Sequence, residues 1–528
     1  MRNNLVKYLS ILVLVTTVLS CAVGPNYHKP KVESPEIFRF EKNKTDTIVN
    51  LNWWNLFHDQ VLDSLIYEAL RNNKNVLIAA SRIEQARANV GYYKADYGPK
   101  IGVNAEAGRS NFLQGITQDD ATNVFAGNAN LNWELDIWGK VRRSNEAAKA
   151  DLLSTFYGKR AVELSLISEV ATNYFNLLDY KARLLISENT FRSRDSALAI
   201  ITLRYNKGII PLIDVNQAQV QQSIAKAAIP QFKRLIAFTE HNISVLLGKN
   251  PGEILVNTSL LDERIPDSIP AGIPSDLLLR RPDISQYEQI YKSQNAKIGV
   301  AEAMRFPSIS LTGLLGVGST DLSTVLSSGL GWGAGASLTA PLFEWGKNVR
   351  RVDIEREKTR QALFSYEYSV LNAFREVQDG LIEMQTLKEE LLARNEQVLA
   401  AESARGLSEL RYDKGVTSYL EVIETQRQEF EAKLGYSQNY SVVLISYVNF
   451  YKALGGGWIT PEEQNKYAVQ KAKEDNLDVN SLDKESLIYE GQIVDLNLSP
   501  EEVQARKDQK KEERKINRAR NKEDKNNK

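Results

Sequence analysis

One cysteine, three histidines and no surplus charge set the limits of this 528-residue chain. A lone Cys21 allows neither an internal disulfide framework nor a cysteine-based zinc site. His28, His58 and His241 stand far apart, without the spacing that puts two imidazoles on one helix face around a metal. Lys and Arg number 66, as do Asp and Glu, so the basic excess of a nucleic-acid binder is missing. No cluster of nucleophile and base is recognisable, and the expectation is no enzyme, no cofactor and no bound metal. Beyond the first twenty residues no apolar run reaches the roughly 20 residues of a spanning helix. With 43% hydrophobic and 25% charged residues, the chain is still no disordered polyelectrolyte.

What is present begins with an export signal. Arg2 and Lys7 precede the apolar run Tyr8–Ser20, which is too short to anchor as a helix and reads as a signal peptide over 1–20. It ends in Val18-Leu19-Ser20-Cys21, where a small residue before the cysteine suggests a lipobox. On that reading Cys21 becomes the acylated first residue, with enough acyl chain for stable anchoring. The other reading is a buried free thiol.

The body is a tandem repeat. Trp138-Gly139-Lys140 recurs as Trp345-Gly346-Lys347, and Leu203-Arg204-Tyr205-Asn206-Lys207-Gly208 as Leu410-Arg411-Tyr412-Asp413-Lys414-Gly415, both 207 residues later. Pro99 and Pro307 match at 208. The reading is a 21–58 N-terminal segment, repeat 1 over 59–248, a linker over 249–275 and repeat 2 over 276–458. Each repeat reads helix, strand, strand, long helix, helix. Repeat 1 gives a helix over 60–96, strands over about 99–112 and 123–137, a long helix over 140–206 and a helix over 213–247. Repeat 2 gives a helix over 283–305, strands over about 307–318 and 329–343, a long helix over 347–413 and a helix over 418–454.

The strands alternate. Phe125, Ala129, Leu131, Trp133 and Leu135 fall on one face, and Asn128, Asn130, Asn132 and Glu134 on the other. They are longer than the roughly 9–11 residues that cross a bilayer, and apolar-out, polar-in alternation marks outer-membrane barrels; a soluble half-buried hairpin shows it too. Four strands cannot close a barrel, and an open edge is not tolerated in lipid, so other copies must complete it. Three copies give twelve strands. The proline-free long segments predict helices of roughly 100 Å at 1.5 Å per residue, matched by two shorter helices end to end. The expected architecture is mainly α, a trimeric α-barrel continuous with a 12-stranded β-barrel.

Further motifs carry a family resemblance across 21–458: Cys21, Gly24-Pro25-Asn26-Tyr27, Trp53-Trp54, Leu279-Arg280-Arg281-Pro282-Asp283-Ile284, Ala340-Pro341-Leu342-Phe343 and Tyr451-Lys452-Ala453-Leu454-Gly455-Gly456-Gly457-Trp458. Together they resemble the outer membrane factor family, the TolC-like exit ducts of tripartite efflux pumps, in its NodT-type lipoprotein branch. The resemblance implies a homotrimer in outer-membrane lipid with its α-barrel in the periplasm, an equatorial girdle crossed by the linker, a periplasmic membrane-fusion adaptor and an inner-membrane RND-type pump. It places adaptor docking at the tip residues Lys207, Gly208, Lys414 and Gly415. It places a closing latch at Asp214 and Tyr412. The basic latch residue sometimes found beyond the tip glycine is replaced by Thr417, leaving Arg411 or Arg204 to serve. Glu421 and Glu424, three apart on one helix face, become carboxylate rings at a constriction under threefold symmetry, or else are solvated glutamates. The implied function is export of small toxic molecules such as drugs through a duct gated at its tip. The competing readings are a channel for type I protein secretion and a periplasmic coiled-coil scaffold. The charged tail 459–528 has too little apolar content for a core.

Overall fold

The computed structural model describes residues 22–33, 53–113, 116–266, 280–327 and 329–456. The expectations for the signal peptide, for Cys21, for linker residues 267–275 and for the tail fall outside these residues.

The first helical stretch is two helices rather than the single one expected over 60–96. Helix α1 (Gln60–Asn72) starts on Asp59, whose carboxylate accepts from the Val61 and Leu62 amides at 2.7 and 3.2 Å. It stops because Asn73 turns extended. The Asn73 N–H closes α1 on the Ala69 carbonyl, and its side-chain oxygen accepts from Asn75 and Val76 to open α2 (Lys74–Ala95). An asparagine that caps its own successor is a helix boundary. The same side chain donates to Leu246 O at 2.8 Å, pinning the break to another helix.

Four antiparallel strands form one sheet in chain order: β1 (Lys100–Leu113), β2 (Ile116–Leu135), β3 (Ser308–Ser319) and β4 (Gly331–Thr339). Strand β2 starts earlier than the expected 123, because its polar first half pairs by backbone with the end of β1, Phe112 opposite Thr117. Strand β4 is shorter than the expected 329–343. Pro341, which has no amide to donate, follows its end. The registers sort the side chains into two faces. One carries Ile101, Leu131, Leu315, Trp332, Leu311 and Leu338; the other carries Asn104, Asn128, Asn130, Asn132, Thr312 and Gly335. The apolar face is bare, with Val103 81% and Trp332 80% exposed.

Each sheet hairpin leads into a long helix, α3 (Lys140–Asn206) after β2 and α6 (Lys347–Asp413) after β4; α5 (Pro282–Ala303) precedes β3. Each long helix is 67 residues and folds back on a 35-residue partner, α4 (Leu212–Leu246) or α7 (Tyr419–Ala453). Both follow a glycine at positive φ, Gly139 and Gly346. The α3 N-terminus is capped from β2's end, Asp136 accepting from the Val141 and Arg142 amides at 2.8 and 2.9 Å. Helix α3 is the spine, packed by α1, α2, α4, α5 and α7. At mid-height Tyr174, Phe175, Val370, Tyr447, Phe450, Leu62 and Trp54 bury in one core, each large apolar side chain contributing about 1.5–3 kcal/mol. There Gly380 is required by contact, since a Cβ would lie 2.7 Å from the Phe450 ring. Among the described residues no helix is long and apolar enough to cross a membrane.

Candidate functional site: the hairpin tips and their ties

Both hairpins turn the same way. At the first tip the Gly208 and Ile209 amides donate to Tyr205 O (2.7 Å) and Arg204 O (3.0 Å); at the second, Gly415 and Val416 donate to Tyr412 O and Arg411 O, both at 2.9 Å. These paired bonds are the Schellman closure, which needs positive φ at its glycine; φ is 73° and 71°. A Cβ on either glycine would meet nothing within 4 Å. The backbone therefore requires the glycines, and the space outside them is free. Lys207 and Lys414 sit beside them as the C-caps of α3 and α6.

Behind the turns, Ile201, Ala218, Tyr419, Val422 and Ile423 bury in a small core joining both hairpins. Tyr412 stacks tilted on Tyr419 at 5.2 Å, and among the described residues the proton of its buried hydroxyl finds no acceptor. The structure thus does not join Tyr412 to Asp214 inside one chain. Asp214 has its carboxyl raised by burial, and Tyr419 is pushed up to about 12, chiefly by burial and then by Tyr412 and Asp214. Both arginines considered as substitutes are engaged. Arg204 crosses from the first hairpin to Asp413 of the second at 3.2 Å, its guanidinium 5.4 Å from the Tyr412 ring centre. Arg411 reaches Glu421 at 3.5 Å.

The two acidic candidates are each paired by their own chain. Glu421 accepts from the Thr417 hydroxyl and faces Arg411. Glu424 is held by Arg427 at 2.6 and 3.1 Å and by Gln428 at 2.9 Å, and these bonds keep its carboxyl below the usual range. A ring built from them carries less free charge than the residue types suggest.

Three features escape a reading of the sequence alone. The first is Arg194 on α3, a buried cation whose guanidinium donates to Gln221 O of α4 (2.7 Å) and Gln426 O of α7 (3.2 Å) and lies over Phe430. Burial pulls its proton affinity down. It ties the two hairpins above the tip. Its counterpart at the repeat offset is Ala401, and that mismatch is a signal the sequence does hold.

The second is a buried carboxyl cluster at mid-height. Asp59 accepts from the hydroxyls of Tyr174 and Thr258, and Glu263 is buried beside it. Burial and the neighbouring Asp59 push Glu263 up to about 8.

The third is a strap of residues 22–29 along the junction of sheet and helices. Val23 donates to Trp138 O (3.1 Å), and Arg143 donates to Val23 O, Gly24 O and the Asn26 side chain at 3.2, 3.2 and 2.8 Å. Asn295 donates to Pro25 O, and Tyr27 donates to Glu288 at 2.8 Å. Gly24 is needed there, because a Cβ would lie 2.4 Å from Gly299 Cα. The Gly24-Pro25-Asn26-Tyr27 motif is therefore a fitted segment, and it begins three residues after Cys21. No group of acidic, histidine or cysteine side chains among the described residues is arranged to hold a metal.

Comparison with known proteins agrees with this geometry. A family model described as outer membrane efflux protein matches residues 65–249 and 273–456. The chain is 31% identical over 451 residues to the cation efflux system protein CusC of Escherichia coli O6:H1, covering 83% of this chain and 96% of the relative. It is 30% identical over 475 residues to the probable efflux pump outer membrane protein TtgC of Pseudomonas putida, covering 88% and 98%. Its structure is similar to that of the Campylobacter jejuni CmeC outer membrane channel, with a TM-score of 0.77 and 26% identity over 87% of this chain and all of that one.

Proposed function

The chain belongs to the outer membrane efflux protein family, and on that premise we propose that three copies close one duct, gated where the hairpin tips meet. The protein is an outer-membrane efflux channel. What carries the threefold reading is the sheet: one bare apolar face, one face of Asn, Thr and Gly, and two unpaired edges at β1 and β4. In lipid those edges must pair, and three copies supply twelve strands with the polar face turned to the lumen. The long helices then continue the wall for roughly 100 Å into the periplasm.

The duct does no chemistry and takes no cofactor. An inner-membrane RND-type pump supplies the energy, and a periplasmic adaptor docks on the open space around Gly208 and Gly415. The cargo is small toxic solutes. Cys21 carries the lipid, and the fitted strap behind it supports that reading by fixing the anchor to the sheet's periplasmic rim.

The closed tip is held by Arg204–Asp413 and Arg411–Glu421 in place of the basic latch residue that Thr417 replaces. On assembly the Tyr412 hydroxyl, buried in the single chain, turns outward and donates to Asp214 of a neighbouring copy, a charge-assisted bond. Opening is a population shift, driven only by a partner that prefers the splayed coils. Single-channel currents in a planar bilayer test this. Wild type should show small openings, enlarged in Tyr412→Phe, Asp214→Ala and Arg204→Ala. Silence from an inserted, folded sample would end the duct reading, and currents untouched by all three changes would move the gate elsewhere.

A further inference from the structure

The seam between the two repeats inside one chain is a template for the seam between copies. The hairpins are duplicates pair for pair. Lys100 opposite Asn132 opens the β1–β2 register, and Ser308 opposite Thr339 opens β3–β4, a shift of 208 residues in the first strand and 207 in the second. The internal seam is β2 on β3, with Leu131 opposite Gly313. The same two shifts set β4 against β1 of another copy with Leu338 opposite Ala105, Ser337 opposite Glu106 and Ala336 opposite Ala107. The result passes an independent check. Leu338, Ala336, Ala105 and Ala107 all belong to the apolar face, and Ser337 and Glu106 to the polar one. A slip of one residue would fail it.

The helical part of the internal seam is duplicated too, with its halves on opposite edges of the chain. Inside, the Trp138 indole donates to Pro307 O at 2.7 Å, and Arg143 packs on Gly299, where a Cβ would lie 2.8 Å from its Cγ. The counterparts are Trp345 and Pro99, and Arg350 and Gly91. Trp345 is 90% exposed and holds a positive φ of 50°. The Arg350 side chain is 81% exposed, and a Cβ on Gly91 would meet nothing within 4 Å. A fitted pair inside the chain thus reappears as two bare halves outside it.

We propose that these halves meet between copies. Trp345 of one copy donates its indole N–H to the Pro99 carbonyl of the next, Arg350 lays its aliphatic stem over the next copy's Gly91, and β4 joins β1 in the register given. Gly98 stands where the internal seam has Phe306, which stacks on Trp138, so the outer seam lacks that stack and is the weaker of the two. The inference rests on the threefold reading and adds its residue-level contacts.

Cysteine cross-linking of the full chain in outer-membrane vesicles tests it, with the unmodified chain as control for Cys21. Oxidation should give a covalent trimer ladder for Ser337→Cys with Glu106→Cys. It should give none for Ser337→Cys with Asn104→Cys or with Gly108→Cys. A ladder in either control instead of the predicted pair would overturn the register while leaving the trimer. The absence of all ladders from a sample of trimeric mass would do the same, and a monomeric mass would remove the threefold reading itself. In addition, Trp345→Ala and Arg350→Ala should lower the temperature at which trimers dissociate without changing helicity by circular dichroism. An unchanged dissociation temperature would overturn the docking contacts.

Discussion

The two helical hairpins have equal lengths and the same glycine turn, yet they are held together by different chemistry. Between α3 and α4 the close contacts are a side-chain amide, a ring and backbone: Gln222 donates to Asp195 at 2.8 Å, Arg183 lies over Phe232, and Arg194 donates to carbonyls, while the ion pairs Lys181–Glu240 and Lys233–Glu188 are longer, at 3.4 and 3.9 Å. Between α6 and α7 runs a ladder of charges, with Arg405–Glu429 at 2.6 Å, Lys433–Glu402 at 2.8 Å and Gln426–Glu409 at 3.0 Å. Along its middle, from Leu164 to Asp179, α3 is largely enclosed by its own chain, whereas α6 leaves Phe364, Tyr368 and Leu371 exposed. Length and turn geometry are local properties and survived duplication. Partner chemistry depends on what lies alongside, and there the copies diverged into an enclosed spine and an outer wall prepared for another molecule.

The largest test of that contrast is Arg194. Hydrogen bonds to a charged group are worth about 1.5–3 kcal/mol each, so Arg194→Ala should cost about 3 kcal/mol in calorimetric unfolding, with Arg194→Lys between. The reciprocal Ala401→Arg should also destabilise, because it forces a long cationic side chain into a site that buries only a methyl group. Stabilisation by Ala401→Arg would show the two hairpins to be interchangeable.

Next comes pH. Glu263 rises from its ordinary 4.5 to about 8 in the fold. Between those values the native chain keeps a proton that the unfolded chain has lost, so stability falls as pH rises through that window. Glu263→Gln should flatten the fall. Glu424, held low by Arg427, acts in the opposite sense: its contribution is present above the ordinary carboxylate range and is lost as the medium acidifies. Unfolding midpoints measured from pH 4 to about pH 9 separate the two slopes.

A smaller and symmetric effect is expected at the turns. Gly208→Ala and Gly415→Ala should each cost about 1–2 kcal/mol, and asparagine less, because only φ is at stake there. Adaptor binding that falls with asparagine while stability holds would assign the open space to docking. Smallest is salt. Exposed pairs contribute about 0.2–1 kcal/mol and are screened, so amide exchange should quicken at high ionic strength more in α6–α7, where the pairs are closer, than in α3–α4.

Much of the frame was legible. The long helices are proline-free and bounded by glycine, and the strands alternate because one face meets lipid. The break at Asn73 was written in Asn72-Asn73-Lys74-Asn75 but hidden by the absence of proline. The early start of β2 was hidden because its first residues, Thr117-Gln118-Asp119-Asp120, are polar and do not alternate. The site was legible in outline only. The tip glycines show in the repeat and the acidic pair in its three-residue spacing, but Arg204 to Asp413, Arg194 to two carbonyls and Glu263 against Asp59 join residues far apart in sequence. Such contacts leave no periodic trace.

The polar face of the sheet has a consequence for traffic. Asn104, Asn128, Asn130, Asn132, Thr312 and Gly335 offer a passing solute dipoles of both signs, with Glu106 and Glu134 adding negative charge, the latter paired with Lys140. Such a wall grips a planar molecule no more than a branched one, and its bias among ions is confined to the levels of Glu106 and Glu134. The outer half of the duct acts as a lubricated sleeve, indifferent to the shape of what it carries, so one sleeve can serve unrelated cargoes, and refusal by shape has to happen at the far end.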